Sequence, residues 1–184
     1  MELSNMLLKK YEKLNTVSKS GNAVLFGSTF ASTLPVNELL QDYGINQIVY
    51  NRSIKGLSVF NAKDCLKTCV IDLKPSKVFI SLGEEDLDMD ISEVISQYEW
   101  LLYQLHSHLK DCRIYLISVC RKDKNITALN NAIKTLASES GCKYISISDA
   151  ALDAAPEFRG FSIIKTYLRE RPINFSDAMM LQSL

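Results

Sequence analysis

The chain has 184 residues, 47% hydrophobic and 23% charged, a composition that excludes a disordered chain and suffices for one domain with a buried core. Lys and Arg number 21, and Asp and Glu also 21, so no net field draws the protein to nucleic acid or to an anionic membrane. No apolar run approaches the roughly 20 residues that span a bilayer.

The basic groups Lys9-Lys10 and Arg121-Lys122-Lys124 read as a solvated helix face and a solvated loop. The opening Met1-Glu2-Leu3-Ser4-Asn5 lacks the basic stretch and apolar core of a signal peptide. The five cysteines, Cys65, Cys69, Cys112, Cys120 and Cys142, form no paired framework and read as buried free thiols of a reducing compartment. A cytoplasmic location is the expectation. Cys65 and Cys69 fall on one helix face, but no further Cys or His pair completes a set of metal ligands. Neither a metal nor a cofactor is expected.

In chain order, Leu3 to about Val17 carries a helical stripe of Leu7, Leu8, Tyr11 and Leu14. After Gly21-Asn22, the run Ala23-Val24-Leu25-Phe26 has the continuous apolar character of a strand buried on both faces. Val36 to Tyr43 reads as a short helix stopped at Gly44, and Gln47 to Tyr50 as the second strand. The spacing predicts a helix over Ala62–Leu73, closed by Pro75, and a third strand over Lys77–Leu82. A long helix follows from about Ile91 to Leu109, with Ile91, Val94, Ile95, Tyr98, Leu101, Leu102 and Leu105 at helical spacing. Arg113–Val119 is the fourth strand, Ile126–Ser138 a helix and Lys143–Ile147 the fifth strand. The tail from Ser176 is weakly helical. This alternation predicts an α/β domain with a parallel sheet and helices on both faces. One domain over residues 1–184 is expected, with the helix of residues 1–20 packed on it.

Ligands bind beyond the carboxyl ends of such strands. Those exits read Gly27-Ser28-Thr29-Phe30-Ala31, Asn51-Arg52-Ser53-Ile54-Lys55-Gly56 and Gly83-Glu84-Glu85-Asp86-Leu87, with Arg171-Pro172-Ile173-Asn174-Phe175 near the end. In this order and at these distances they resemble the sequence blocks of the SGNH (GDSL-type) hydrolases, esterases and acylhydrolases of lipids, acetylated sugars and other acyl esters. The resemblance spans Ala23 to Ala178. It implies a flavodoxin-like three-layer α/β/α sandwich with a five-stranded parallel sheet.

Block by block, the resemblance implies a site whose side chains are exchanged. The family's nucleophilic serine falls on Thr29, and Ser28 replaces the aspartate before it. The extra methyl of Thr29 crowds attack and stiffens its rotamer. Ser28 serves only if the turn shifts by one residue. Gly56 matches the glycine whose amide binds the oxyanion. Glu85 stands where an asparagine donates to that oxyanion, and an ionised carboxylate has no hydrogen to give. Arg171 and Asn174 take the places of the orienting aspartate and the general-base histidine. Asp86 matches an aspartate that holds the loop.

The only histidines, His106 and His108, fall late in the long helix, roughly 20 Å from the strand exits at about 1.5 Å per residue. The expectation is an SGNH-like protein impaired in catalysis, with a pocket for a small acyl-ester or carbohydrate-like ligand. Two readings stay open for the exchanged charges: Arg171 reaches across to Glu85 as a compensated pair, or, as long side chains more often do, both point to water. The alternative is a weak esterase in which Thr29 or Ser28 attacks and Glu85 or Asp86 acts as base.

Overall fold

The computed structural model describes residues 2–170. The chain begins with helix α1 (Glu2–Asn15) and enters β1 (Ala23–Gly27), α2 (Thr29–Thr33), α3 (Val36–Asp42) and β2 (Val49–Asn51). It continues through α4 (Leu66–Cys69), β3 (Lys77–Ser81), α5 (Ile91–His108), β4 (Arg113–Ile117), α6 (Ile126–Glu139), β5 (Lys143–Ile145) and α7 (Pro156–Leu168). All four strand pairings are parallel, in the order β2-β1-β3-β4-β5. The three-layer expectation holds.

Every residue of β1 and β3 is buried, which explains their lack of apolar-polar alternation: both sheet faces are covered. Val24, Phe26, Val78, Ile80, Ile114 and Leu116 face one core with α1, α4, α5 and α6. Leu25, Phe79, Tyr115, Ile117 and Ile145 face the other, under α2, α3 and α7. In α5 the stripe Val94, Tyr98, Leu101, Leu102 and Leu105 is buried, and Asp90 caps it by accepting from the Ser92 and Glu93 amides. Trp100 and Tyr103 lie on its outer face at 42% and 68% exposure.

Two stretches depart from the sequence expectation. The single helix over Ala62–Leu73 is instead a 3₁₀ turn (Val59–Asp64), the short α4 and a second 3₁₀ turn (Ile71–Leu73). The run Thr68-Cys69-Val70-Ile71 is rich in poor helix formers, Val70 leaves the helical region at φ −131°, and Lys74 ends the stretch in the left-handed region at φ 44°. Conversely, α7 has no counterpart among the sequence-based elements. Its signals are Pro156 in the first turn and Phe161, Ile164 and Leu168 on one buried face. Gly160 weakens that pattern by about 1 kcal/mol of helix propensity, and packing demands it: a Cβ there would stand 2.6 Å from Cζ of Phe30.

Cys65 and Cys69 are buried free thiols, whereas Cys112, Cys120 and Cys142 are half-buried. Among the described residues no group of three or more His, Cys, Asp or Glu side chains is arranged to hold a metal. No described helix is long and apolar enough to cross a membrane.

Candidate functional site

Strand β1 has β2 on one side and β3 on the other, so chain order reverses around it. This is the switch point where open α/β sheets form a crevice beyond the carboxyl ends of their strands. The exits of β1, β2 and β3 meet there because β1 and β3 converge at their last residues. Gly27 makes that convergence possible: a Cβ on it would lie 2.3 Å from the Ser81 carbonyl oxygen and 2.8 Å from the Ala31 Cβ. No side chain fits.

From this floor the chain turns into α2, and Thr29 heads the helix with its side chain half-buried. Its Oγ1 donates to Glu85 Oε1 at 2.6 Å and accepts the Gly56 amide at 3.1 Å. Gly56 sits at φ 75°, a left-handed conformation that costs glycine nothing, and the turn it makes aims its N–H at Thr29. Ser28 is fully buried; its Oγ donates to the same Glu85 oxygen at 3.3 Å. Thr29, and not Ser28, therefore presents the hydroxyl to the cleft.

The two acids beside Glu85 behave differently. Asp86 accepts from Ser58 Oγ and, at 3.0 Å, from the Val59 amide, which pins the segment after Gly56 to the β3 exit. Both of its oxygens are engaged in holding the loop. Glu84 is buried and takes the Phe30 amide at 2.6 Å. Burial pushes its carboxyl above the ordinary range, the Phe30 amide opposes this, and the charge of Glu85 adds to the rise.

A cleft of about 490 Å³ opens over these groups, lined among others by Thr29, Phe30, Glu84, Glu85, Arg121 and Pro156. Arg121, Lys122 and Lys124 are exposed in a loop, as expected, and from that loop Arg121 Nη1 donates to the Glu84 carbonyl at 2.9 Å and borders the cleft. Glu84 and Arg121 are the site neighbours that sequence reasoning did not single out. Glu84 stood inside a strand-exit segment, but no sequence pattern distinguishes a buried glutamate from its exposed neighbour.

Of the six sequence-predicted site residues, Thr29, Ser28, Gly56 and Glu85 converge. Arg171 and Asn174 lie outside the described residues, as does the Glu85–Arg171 pair. Glu170, the last residue described, sits at the other edge of the sheet. Its carboxylate takes Arg113 and Lys143, the first residues of β4 and β5, each at 2.8 Å. His106 and His108 are exposed in the last turn of α5, and His108 lines a different cleft with Gly21, Pro75 and Asp111. Neither reaches Thr29. Among the described residues the cleft contains no imidazole.

A parallel sheet in the order β2-β1-β3-β4-β5 with helices on both faces is a three-layer α/β/α sandwich of the flavodoxin-like kind. No family model and no curated protein matches the chain, but solved structures do. An acetylxylan esterase from Geobacillus stearothermophilus superposes with a TM-score of 0.67 at 16% identity, over 85% of this chain and 98% of its own. A GDSL-like lipase from Bacteroides thetaiotaomicron gives 0.68 at 15% identity, over 88% and 96%. A Streptococcus pneumonia protein named for platelet activating factor gives 0.78 at 19% identity, over 89% and 92%. The chain thus has the fold of the GDSL-like lipases and acetylxylan esterases.

Proposed function

We propose that the protein is a hydrolase-like member of the SGNH/GDSL group whose cleft binds a small ligand without turning it over efficiently. The observation that supports this is Glu85 Oε1 at 2.6 Å from Thr29 Oγ1, a carboxylate where acyl transfer needs a donor. An ester carbonyl beside Thr29 would develop its negative charge facing an acid. Loss of one oxyanion donor costs about a hundred- to a thousand-fold in rate, and a carboxylate in its place opposes the charge outright. The Gly56 amide is engaged by Thr29 itself, and no imidazole stands ready to pass a proton to the leaving alkoxide.

The same contact favours a second reading. Thr29 and Glu85 form a hydroxyl-carboxylate dyad within proton-transfer distance. In that reading Thr29 Oγ1 attacks the ester carbonyl carbon and Glu85 takes its proton. The protonated Glu85 then returns that proton to the departing alkoxide. A carboxylate is about two pKa units less basic than an imidazole, which makes this a weak esterase at best.

Purified protein assayed on p-nitrophenyl acetate separates the two. Under the binding reading the hydrolysis rate equals that of Thr29→Val. Saturable turnover abolished by Thr29→Val, and lost equally in Glu85→Gln, establishes the weak esterase instead.

A further inference from the structure

Helix α7 carries the chain from one end of the sheet to the other. Pro156, in its first turn, lines the cleft beside Thr29, and its 13 residues extend for about 20 Å at about 1.5 Å each. At the far end Lys77, the buried first residue of β3, donates to the main-chain oxygens of Tyr167 at 3.2 Å, Leu168 at 2.6 Å and Glu170. The Glu170 carboxylate is held in turn by Arg113, Lys143 and the Tyr115 hydroxyl. These charge-assisted bonds fix the point from which the chain continues. That point lies at the amino ends of β3, β4 and β5.

A groove of about 440 Å³ opens there, lined among others by Gly21, Asn46, Gln47, Ile48, Arg169 and Glu170. Ile48 is 46% exposed, although its carbonyl, accepting the Ala23 amide, holds it to the sheet. Covering such a side chain is favourable. Asn46 and Gln47 beside it are exposed too, and their amides can both donate to and accept from a main chain. The residues after Glu170 read Arg171-Pro172-Ile173-Asn174-Phe175. In an extended segment, at about 3.3 Å per residue, Ile173 and Phe175 reach up to roughly 10 and 17 Å from the Glu170 anchor. Two residues apart, they point to the same side, and Pro172 has no N–H to satisfy.

We propose that this groove is the docking site of the chain's own residues 171–175, with Ile173 and Phe175 packed against Ile48. The occupant belongs to the same chain because Arg169 and Glu170 already line the groove. A tether this short gives an effective concentration in the millimolar range, so a modest apolar contact suffices. Docked there, Arg171 and Asn174 stay at the opposite end of α7 from Thr29 and Glu85. The cleft then works without either side chain, and Arg171 does not meet the charge of Glu85.

Nuclear Overhauser spectra of the whole chain, with its isoleucine methyl groups labelled, test this. The Ile48 methyl groups should show cross-peaks to the Phe175 ring and the Ile173 methyl groups. Those cross-peaks should persist on dilution and vanish from isotope-filtered spectra of mixed labelled and unlabelled protein. Phe175→Asp should shift the Gly21, Gln47 and Ile48 amides and leave those of Thr29, Gly56 and Glu85 in place. No cross-peak from Ile48 to residues 171–175 overturns the proposal, as do Phe175→Asp shifts confined to the cleft. Filtered cross-peaks between labelled and unlabelled chains would give the groove to a second copy and overturn it as well.

Discussion

The Tyr11 phenol donates to the main-chain oxygen of Ser53 at 2.8 Å, and this contact joins the first helix to the segment that ends in Gly56. Arg52 reinforces it. Its guanidinium is buried between the rings of Tyr11 and Tyr50, 5.0 and 5.3 Å from their centres, and donates to Asn15 Oδ1 and Ser18 Oγ. Burial lowers the affinity of Arg52 for its proton, but a guanidinium stays charged in proteins, so the ring faces, the Asn15 amide oxygen and the Ser18 hydroxyl stand in for water. Tyr11→Phe removes one buried hydrogen bond and keeps the ring. Urea unfolding should show a loss of about 1 kcal/mol, with faster amide exchange at Gly56 than at β3. An unchanged midpoint together with unchanged Gly56 exchange would mean that α1 does not brace the site.

Gly27→Ala should be the most damaging single-methyl change in the site. The new carbon overlaps the Ser81 carbonyl oxygen, which belongs to the backbone and cannot rotate away. Overpacking of this kind costs about 3 kcal/mol. Gly44→Ala is the control, because nothing lies within 4 Å of its Cβ position and only its φ of 60° opposes the methyl. Its loss should be about 1 kcal/mol. Equal melting temperatures for the two variants would contradict the packing account of β1 and β3.

Glu84 gives the folded protein an acid whose pKa is raised above its unfolded value, chiefly by burial. The unfolded chain releases that proton more readily, so this group destabilises the fold at neutral pH. The penalty fades as pH falls through the folded pKa toward the unfolded one. Glu84→Gln retains an oxygen for the Phe30 amide and removes the charge. Its stability should exceed that of wild type at pH 7, and the gain should shrink on acidification. A gain that grows toward acid pH would reverse the sign and refute the assignment.

The strands and the long helices were legible because each is a local pattern. The apolar run Ala23–Phe26 and the stripe Val94, Tyr98, Leu101, Leu105 announce burial on two faces and on one. Helix α7 was not, because Gly160 interrupts its pattern for a reason that lies in Phe30, far away in the chain. The broken segment over Ala62–Leu73 failed the other way, since its spacing suits a helix while its β-branched run does not. In the cleft, the segments that meet were legible as strand exits, whereas Thr29, Gly56 and Glu85 were singled out within them only by the resemblance of those blocks to the SGNH hydrolases. The burial of Ser28 and Glu84 was not legible, since nothing in Gly27-Ser28-Thr29 or Glu84-Glu85 tells which side chain turns inward.

By itself the sequence determined that strands and helices alternate and which residue types stand at each strand exit, because periodicity acts within a few residues. Only the tertiary structure decided that the Gly56 amide and the Glu85 carboxylate meet on one hydroxyl. That meeting depends on three loops from separate strands, on the direction in which each side chain leaves its turn, and on the absence of a Cβ at Gly27, which lets two strands close to contact.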